Sequence, residues 1–304
     1  MSYKPNAFMS KAARSVLCGD LVSRFGAKLI SNVGPNSLRR NDVMTILLPS
    51  SDGTAPETTP SQLLVNRIEI AGQDMVEAKR WLIVGAGGFG REVFSWTSGQ
   101  LRATQSNFPV GFLDDDPGSL DQFPTLKERW AGRISTYSPQ PGDRLLMAIG
   151  DPRSKLAVGE MLKLRGAVFA SFAHPTAVIA QDVRIGVGCI ICPFAVVCCN
   201  VRLGDFVLMN IGSVAGHDSI IGDGCTLSPH SDVAGKVNLK RGVFLGCQTA
   251  VLPKTQIGEF ARIGAGSVVI NHVSPGVSMM GVPAKRISWL QDDADVDQPD
   301  SMAG

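Results

Sequence analysis

The chain of 304 residues lacks a surplus of either charge, with 29 Lys and Arg against 27 Asp and Glu. Eight of the basic and six of the acidic residues fall in positions 1–74, so the remaining 21 of each sign cancel. That leaves no basic face for a phosphate backbone and argues against a nucleic-acid partner. Also missing is any apolar run near the roughly eighteen residues of a membrane span, and the N-terminus lacks the apolar core of a secretory signal. The expected location is therefore cytoplasmic. Composition excludes wholesale disorder: with 44% hydrophobic residues, a chain of this length can bury a good core and more naturally forms two domains than one.

Residues 1–74 lack a sustained period of either three and a half or two, and they contain the linker-like passage LLPSSDGTAPETTPSQ. The first forty carry Lys, Arg and Ser with a single acid, Asp20, a composition shared with organelle transit peptides. The other reading starts the natural chain at Met75, with the upstream part disordered or not made. Both stay open, and 1–74 is set aside as an extension.

From Trp81 the character changes. RWLIVGAGGFGREVFSW reads as a buried strand, a glycine turn and the start of a helix, with Gly85, Gly87 and Gly90 matching G-x-G-x-x-G. Such a turn offers backbone N–H groups to an anion, and its missing side chains let a phosphate approach. FPVGFLDDD reads as a second strand ending in Asp114, Asp115 and Asp116, where such folds place an acid against a ribose hydroxyl. RLLMAIGD, PRSKLAVGEMLKLRG and AVFASFA read as strand, helix and strand. This makes an α/β unit over 79–173, half of a full dinucleotide fold. A mononucleotide or nucleotide-sugar site fits it better than NAD.

From Ile179 a period of six sets in. Stepping by six gives Ile179, Ile185, Ile191, Val197, Leu203, Met209, Ala215, Ile221 and onward to Val269, and fifteen of these sixteen are Ile, Val, Leu or Met. Positions four further on are small or β-branched, among them Val183, Cys189, Ser213, Ser219 and Cys225. Period six fits neither a helix nor an alternating strand, but it fits a solenoid of short flat strands meeting at regular corners. Three hexapeptides make one triangular coil of 18 residues. Ala215 is the one break in the column, and we read it as making local room near the following His217.

This repeat over 174–287 resembles the hexapeptide-repeat acyltransferases, which form left-handed parallel β-helices. The fuller arrangement runs from VGAGGFGREV, FLDD and AIGD through the hexapeptides bearing GHDSIIGD to GVPAKRI. Over about 79–287 it is similar to the sugar O- and N-acetyltransferases. That family includes sialic-acid O-acetyltransferases and the acetyl-CoA-dependent acetyltransferases of UDP-4-amino-sugars and GDP-perosamine. The extension 1–74 and an acidic, flexible tail over 288–304 lie outside the match. The resemblance implies a half-Rossmann nucleotide-sugar-binding domain ahead of a left-handed parallel β-helix, a homotrimer with acetyl-CoA between subunits, and a role in polysaccharide biosynthesis.

The repeat also converts spacing into geometry. Residues 18 apart stack in one column about 4.8 Å apart, which puts Gly235 beside His217. In the family a His followed by an acid is the general base, and His217 and Asp218 fall on that motif. An attacking amine must lose a proton, and imidazole is suited to take it near neutral pH. A carboxylate neighbour fixes the tautomer. The oxyanion needs a donor, for which the Gly235 N–H is the candidate. By motif position, Thr226, Cys247 and Ala265 would face the pantetheine of acetyl-CoA, and Lys285 and Arg286 its adenosine phosphates. Gly87, Gly88, Phe89, Asp114 and Asp115 fall on the nucleotide-sugar motif, where Phe89 replaces the usual His. Nitrogen of a nucleotide-linked amino sugar is the expected acceptor. The alternatives are O-acetylation of the sialic-acid type and a non-catalytic repeat scaffold that binds a nucleotide sugar, and the His–Asp pair beside a glycine separates the enzyme from the scaffold.

Cysteine raises a metal reading, since six of seven lie in the solenoid and CIIC is a C-x-x-C. Repeat phase speaks against it. Cys189 and Cys225 take the small inward slot two coils apart, while Cys192, Cys198 and Cys199 sit at other phases. Disulfides are not expected in a cytoplasmic protein. The zinc hydratases that share this solenoid use three His, but His174, His217, His230 and His272 are separated by 43, 13 and 42 residues and return to no common column. No metal is expected.

Overall fold

The computed structural model describes residues 69–70, 78–103 and 110–287. The readings made for 1–68, 71–77, including a start at Met75, and 288–304 lie outside the described residues. Within 1–74, Glu69–Ile70 form a short strand β1 that pairs in parallel with Arg184–Ile185 of the solenoid.

The α/β unit holds four parallel strands, β2 (Arg80–Val84), β3 (Val110–Leu113), β4 (Trp130–Gly132) and β5 (Asp143–Met147), in the order β4-β3-β2-β5. Leu82, Ile83, Val84, Leu145, Leu146 and Met147 are buried in unbroken runs, as in parallel sheets covered on both faces. Helix α1 (Gly88–Ala103) follows the glycine turn. Gly90 is required there, because a Cβ would come within 2.9 Å of the Gly85 carbonyl carbon.

One sequence expectation changes. AVFASFA is not a single strand: Phe169 bridges Leu145 at the sheet edge, while Phe172–Ala173 pair with Ile190–Ile191 as the first rung of the solenoid. The alternating apolar pattern serves both partners, so sequence alone does not show the crossing. Within the α/β unit, β4, short and only half-buried, is a strand that the sequence reading did not include.

The solenoid is a parallel β-helix with three faces, the left-handed kind that the family resemblance implies. Face A stacks Val178–Ile179, Val196–Val197, Val214–Ala215, Asp232–Val233, Ala250–Val251 and Val268–Val269. Face B runs from Arg184–Ile185 to Gln256–Ile257, with β1 at its open edge, and face C from Phe172–Ala173 to Lys285–Arg286. Partners along face A are 18 apart, as in Val196 with Val214 and Val214 with Asp232. In the rungs from Ile185 to Val269 the second strand residue points inward and is buried, and so is the small residue four positions on. Cys189 and Cys225 occupy that inner slot as free thiols. Ala215 is also fully buried and faces the core, so its small side chain lies inside the solenoid and not at His217.

Each corner depends on one left-handed residue, three positions after the column aliphatic. Fifteen of the sixteen such positions have φ between 54° and 72°, and ten of these are not glycine; His272 is the exception. A non-glycine residue in this conformation costs on the order of 1 kcal/mol, which coil stacking offsets. Side chains such as Asn200, Asp218 and Lys236 consequently project from the same corner in register.

The α/β unit sits on face C. Ile190 and Leu208 point outward from that face yet are buried against Ile83 and Phe112. Helix α2 (Pro152–Leu164), capped by Asp151 accepting from Ser154 N at 3.0 Å, lies along the corner between faces B and C. Arg153 lies over the Phe260 ring and Lys163 over the Phe206 ring. Ten helical residues rise about 15 Å, and the three coils from Phe206 to Phe260 climb about 14 Å. The match lets one helix contact four coils, with Lys163–Asp205 (2.7 Å), Glu160–Arg241 and Asp151–Arg262 (3.3 Å) pairing along it.

Candidate active site

His217 and Asp218 form the corner between faces A and B, in the turn linking Val214–Ala215 to Ile220–Ile221. Asp218 takes the left-handed place with φ 60°. His217 Nδ1 and Asp218 Oδ2 are 2.8 Å apart. An ionised carboxylate only accepts, so Nδ1 carries the proton and Nε2 presents its lone pair. The other carboxylate oxygen accepts from Asn200 Nδ2 at 3.1 Å. The bond from His217, then that from Asn200, hold the Asp218 carboxyl below the ordinary carboxylate range, with Lys236 adding its charge.

Gly235 lies one coil on, under the imidazole. A Cβ there would fall 2.6 Å from Cε1 and 2.8 Å from Cδ2, and nearer still to Nε2. The Gly235 N–H donates to no acceptor among the described residues. A side chain at Gly216 would cover it, since a Cβ at that position would lie 2.7 Å from the nitrogen. The glycine pair therefore leaves a proton acceptor and a free backbone donor open on one exposed corner.

The expected coenzyme residues do not form one group. Cys247 and Ala265 stack 18 apart at the corner between faces C and A, both exposed. That corner and the His217 corner lie at opposite edges of face A. Lys285 and Arg286 are exposed on the last strand of face C, antiparallel to Ser278–Met280. Thr226 requires a correction. Its side chain is 3% exposed, donates to Gly150 O at 2.7 Å and accepts from Lys155 Nζ at 2.8 Å, so in this chain it holds the α/β unit to face C and does not face a pantetheine. Repeat phase puts Thr226 in an outward slot; the docked helix α2 then covers it.

At the glycine turn, a Cβ on Gly87 would meet nothing within 4 Å and one on Gly88 only the Arg91 guanidinium, so the turn is open. Phe89 is half-buried and meets Trp96 edge-on at 6.4 Å. Asp114 braces the turn by accepting from Ala86 N at 2.7 Å. Asp115 accepts from Ser135 N at 2.9 Å and Ser135 Oγ at 2.8 Å, bonds that lower its carboxyl below the usual range. Each carboxylate keeps lone pairs for a further donor. Among the described residues, no group of three or more His, Cys, Asp or Glu is placed to hold a metal ion.

No family model matches the chain. It is 29% identical over 214 residues to GDP-perosamine N-acetyltransferase of Escherichia coli O157:H7, covering 67% of this chain and 95% of that protein. PerB from Caulobacter crescentus, solved in complex with CoA and GDP-perosamine, is 31% identical with a TM-score of 0.59, over 68% of this chain and 97% of PerB. The chain belongs to the hexapeptide-repeat sugar acetyltransferase family. The acetyltransferase domain of PglB from Neisseria gonorrhoeae FA1090, in complex with acetyl coenzyme A, is 25% identical with a TM-score of 0.60, over 69% of this chain and 99% of that domain. Members of this family are acyltransferases, and so is this chain.

Two residues of this acyltransferase escaped the sequence reading. Asn200 stands 18 before Asp218, so the repeat that paired His217 with Gly235 also carried its signal. Lys155 shows no periodic signal at all. It is fully buried, bonded to Cys225 O at 3.2 Å and Thr226 Oγ1, and burial pulls its amine down to about 8.

Proposed function

We propose that this acyltransferase moves an acetyl group from acetyl-CoA to the amino group of a nucleotide-linked amino sugar, with His217 as general base. The observation that carries the proposal is the imidazole Nε2 lying over Gly235, beside a backbone N–H with no other partner. The amine nitrogen attacks the thioester carbonyl carbon while Nε2 takes its proton. The Gly235 N–H donates to the oxyanion as it forms. Asp218 stabilises the imidazolium through Nδ1–H. Collapse re-forms the carbonyl and expels the CoA thiolate, to which the imidazolium returns the proton. No acyl-enzyme is needed.

The bound molecules of PerB, CoA and GDP-perosamine, support the co-substrate and the acceptor class. The α/β unit over 79–173, with its open glycine turn, is assigned to the nucleotide and the solenoid over 174–287 to the transfer. A homotrimer is part of the same proposal. Cys247 and Ala265 reach His217 only if a second copy brings its corner alongside, and face A offers Val196, Val214 and Val268, all half-buried, for that packing. No helix among the described residues is long and apolar enough to cross a membrane, which agrees with a cytoplasmic enzyme.

Thiol release from acetyl-CoA, measured against a panel of UDP-, GDP- and CMP-linked sugars, tests the reaction. His217→Ala should lower kcat/KM by about a hundredfold or more with the fold intact. Activity near wild type would remove His217 from the role of base.

A further inference from the structure

The corner that carries Asp218 forms a charged column, because its left-handed residues repeat every 18 positions. It reads Asp182, Asn200, Asp218, Lys236, Lys254, each with φ between 56° and 64°. Asn200 is the neutral member between two carboxylates. Its Nδ2 donates to Asp218 Oδ1 at 3.1 Å, while Asp218 Oδ2 meets His217 Nδ1 at 2.8 Å. The Asn200 main chain is fixed as well, with its N–H donating to Gln181 O at 3.2 Å and the Asp218 N–H to Cys199 O at 3.1 Å. These bonds fix both ends of the carboxylate's approach. Asp218 is 40% exposed and His217 58%, so packing alone does not hold either side chain in place.

We propose that Asn200 is a positioning residue for the reaction assigned to His217, clamping Asp218 from the preceding coil so that the imidazole stays over Gly235. The inference rests on His217 being the base. Asn200 touches no reacting atom; it acts by denying the carboxylate a second rotamer. The charged and titratable groups facing this carboxylate are His217 beside it, Lys236 on the following coil and, beyond Asn200, Asp182 two coils back. Asp218 is thus flanked by a cation on the following coil and an amide on the preceding one, and replacing that amide with a charge would alter the field at the imidazole without touching the base.

The test follows kcat, KM and the pH dependence of kcat/KM in Asn200→Ala, Asn200→Asp and Asn200→Lys, with His217→Ala measured alongside. Asn200→Ala should lower kcat about three- to tenfold with KM changed less than twofold. Asn200→Asp should move the acid limb of the profile up by about half a pH unit, and Asn200→Lys down by a similar amount, as expected for one charge some 5–8 Å away in a high dielectric. Asp and Lys both occupy left-handed positions in this column, so these two variants keep the corner even if alanine loosens it. If all three profiles superimpose on wild type while His217→Ala is inactive, the positioning role is overturned and the base stands. An active His217→Ala overturns both.

Discussion

Gly235→Ala separates the geometry of the site from the stability of the fold. A methyl at this position would stand 2.6 Å from His217 Cε1, at least 0.8 Å inside the 3.4 Å where ordinary contact begins. The ring, exposed at the corner, can swing away. Doing so breaks the Nδ1 bond to Asp218 and takes Nε2 off the Gly235 N–H. Folding should barely register the change. Gly235 does not adopt a left-handed φ, and alanine restricts the unfolded chain by about 0.4–1 kcal/mol in favour of the fold. Catalysis should register it strongly, since misplacing a reacting group by about 1 Å costs on the order of a hundredfold, or about 2.7 kcal/mol of barrier. Thiol release and thermal melting on one preparation make the comparison. The double variant with His217→Ala sharpens it: if the methyl acts only by displacing the imidazole, adding it to His217→Ala costs almost nothing further. A folded Gly235→Ala enzyme with near-wild-type kcat, or losses that add in the double variant, would refute the reasoning.

Two further outcomes are expected. Lys155, with its amine drawn from 10.5 down to about 8 by burial, binds its proton less readily folded than unfolded. Its unfavourable contribution is therefore fully present below about pH 8 and relieved as pH rises toward 10.5. The wild-type melting temperature should accordingly rise relative to Lys155→Met across that window, and a constant difference would contradict the assignment. Sedimentation should give about 97 kDa for three chains of 32.3 kDa, with Val214→Glu on face A yielding an inactive monomer; a wild-type monomer that transfers acetyl groups would sink the shared site.

The coil has constant length, and so much of the protein was legible without coordinates. Eighteen residues return the chain to the same corner, and spacing alone therefore stacked Gly235 on His217 and sent Cys189 and Cys225 inward. The same rule held the Asn200–Asp218 contact, although there the side-chain amide had to turn toward the carboxylate for the spacing to matter. What the period could not reach is what crosses it. Thr226 shares its outward slot with Ile190 and Leu208, but only the docking of helix α2, with Lys155 arriving from 71 residues earlier, decided that its hydroxyl is buried and bonded. The handover of 167–173 from sheet to solenoid and the bracing of the glycine turn by Asp114 were settled in the same way. Sequence determined the contacts made by repetition, because identical coils impose their register locally. Tertiary structure decided the contacts between the α/β unit and face C, because these depend on two surfaces meeting, and no local period in either surface encodes the fit.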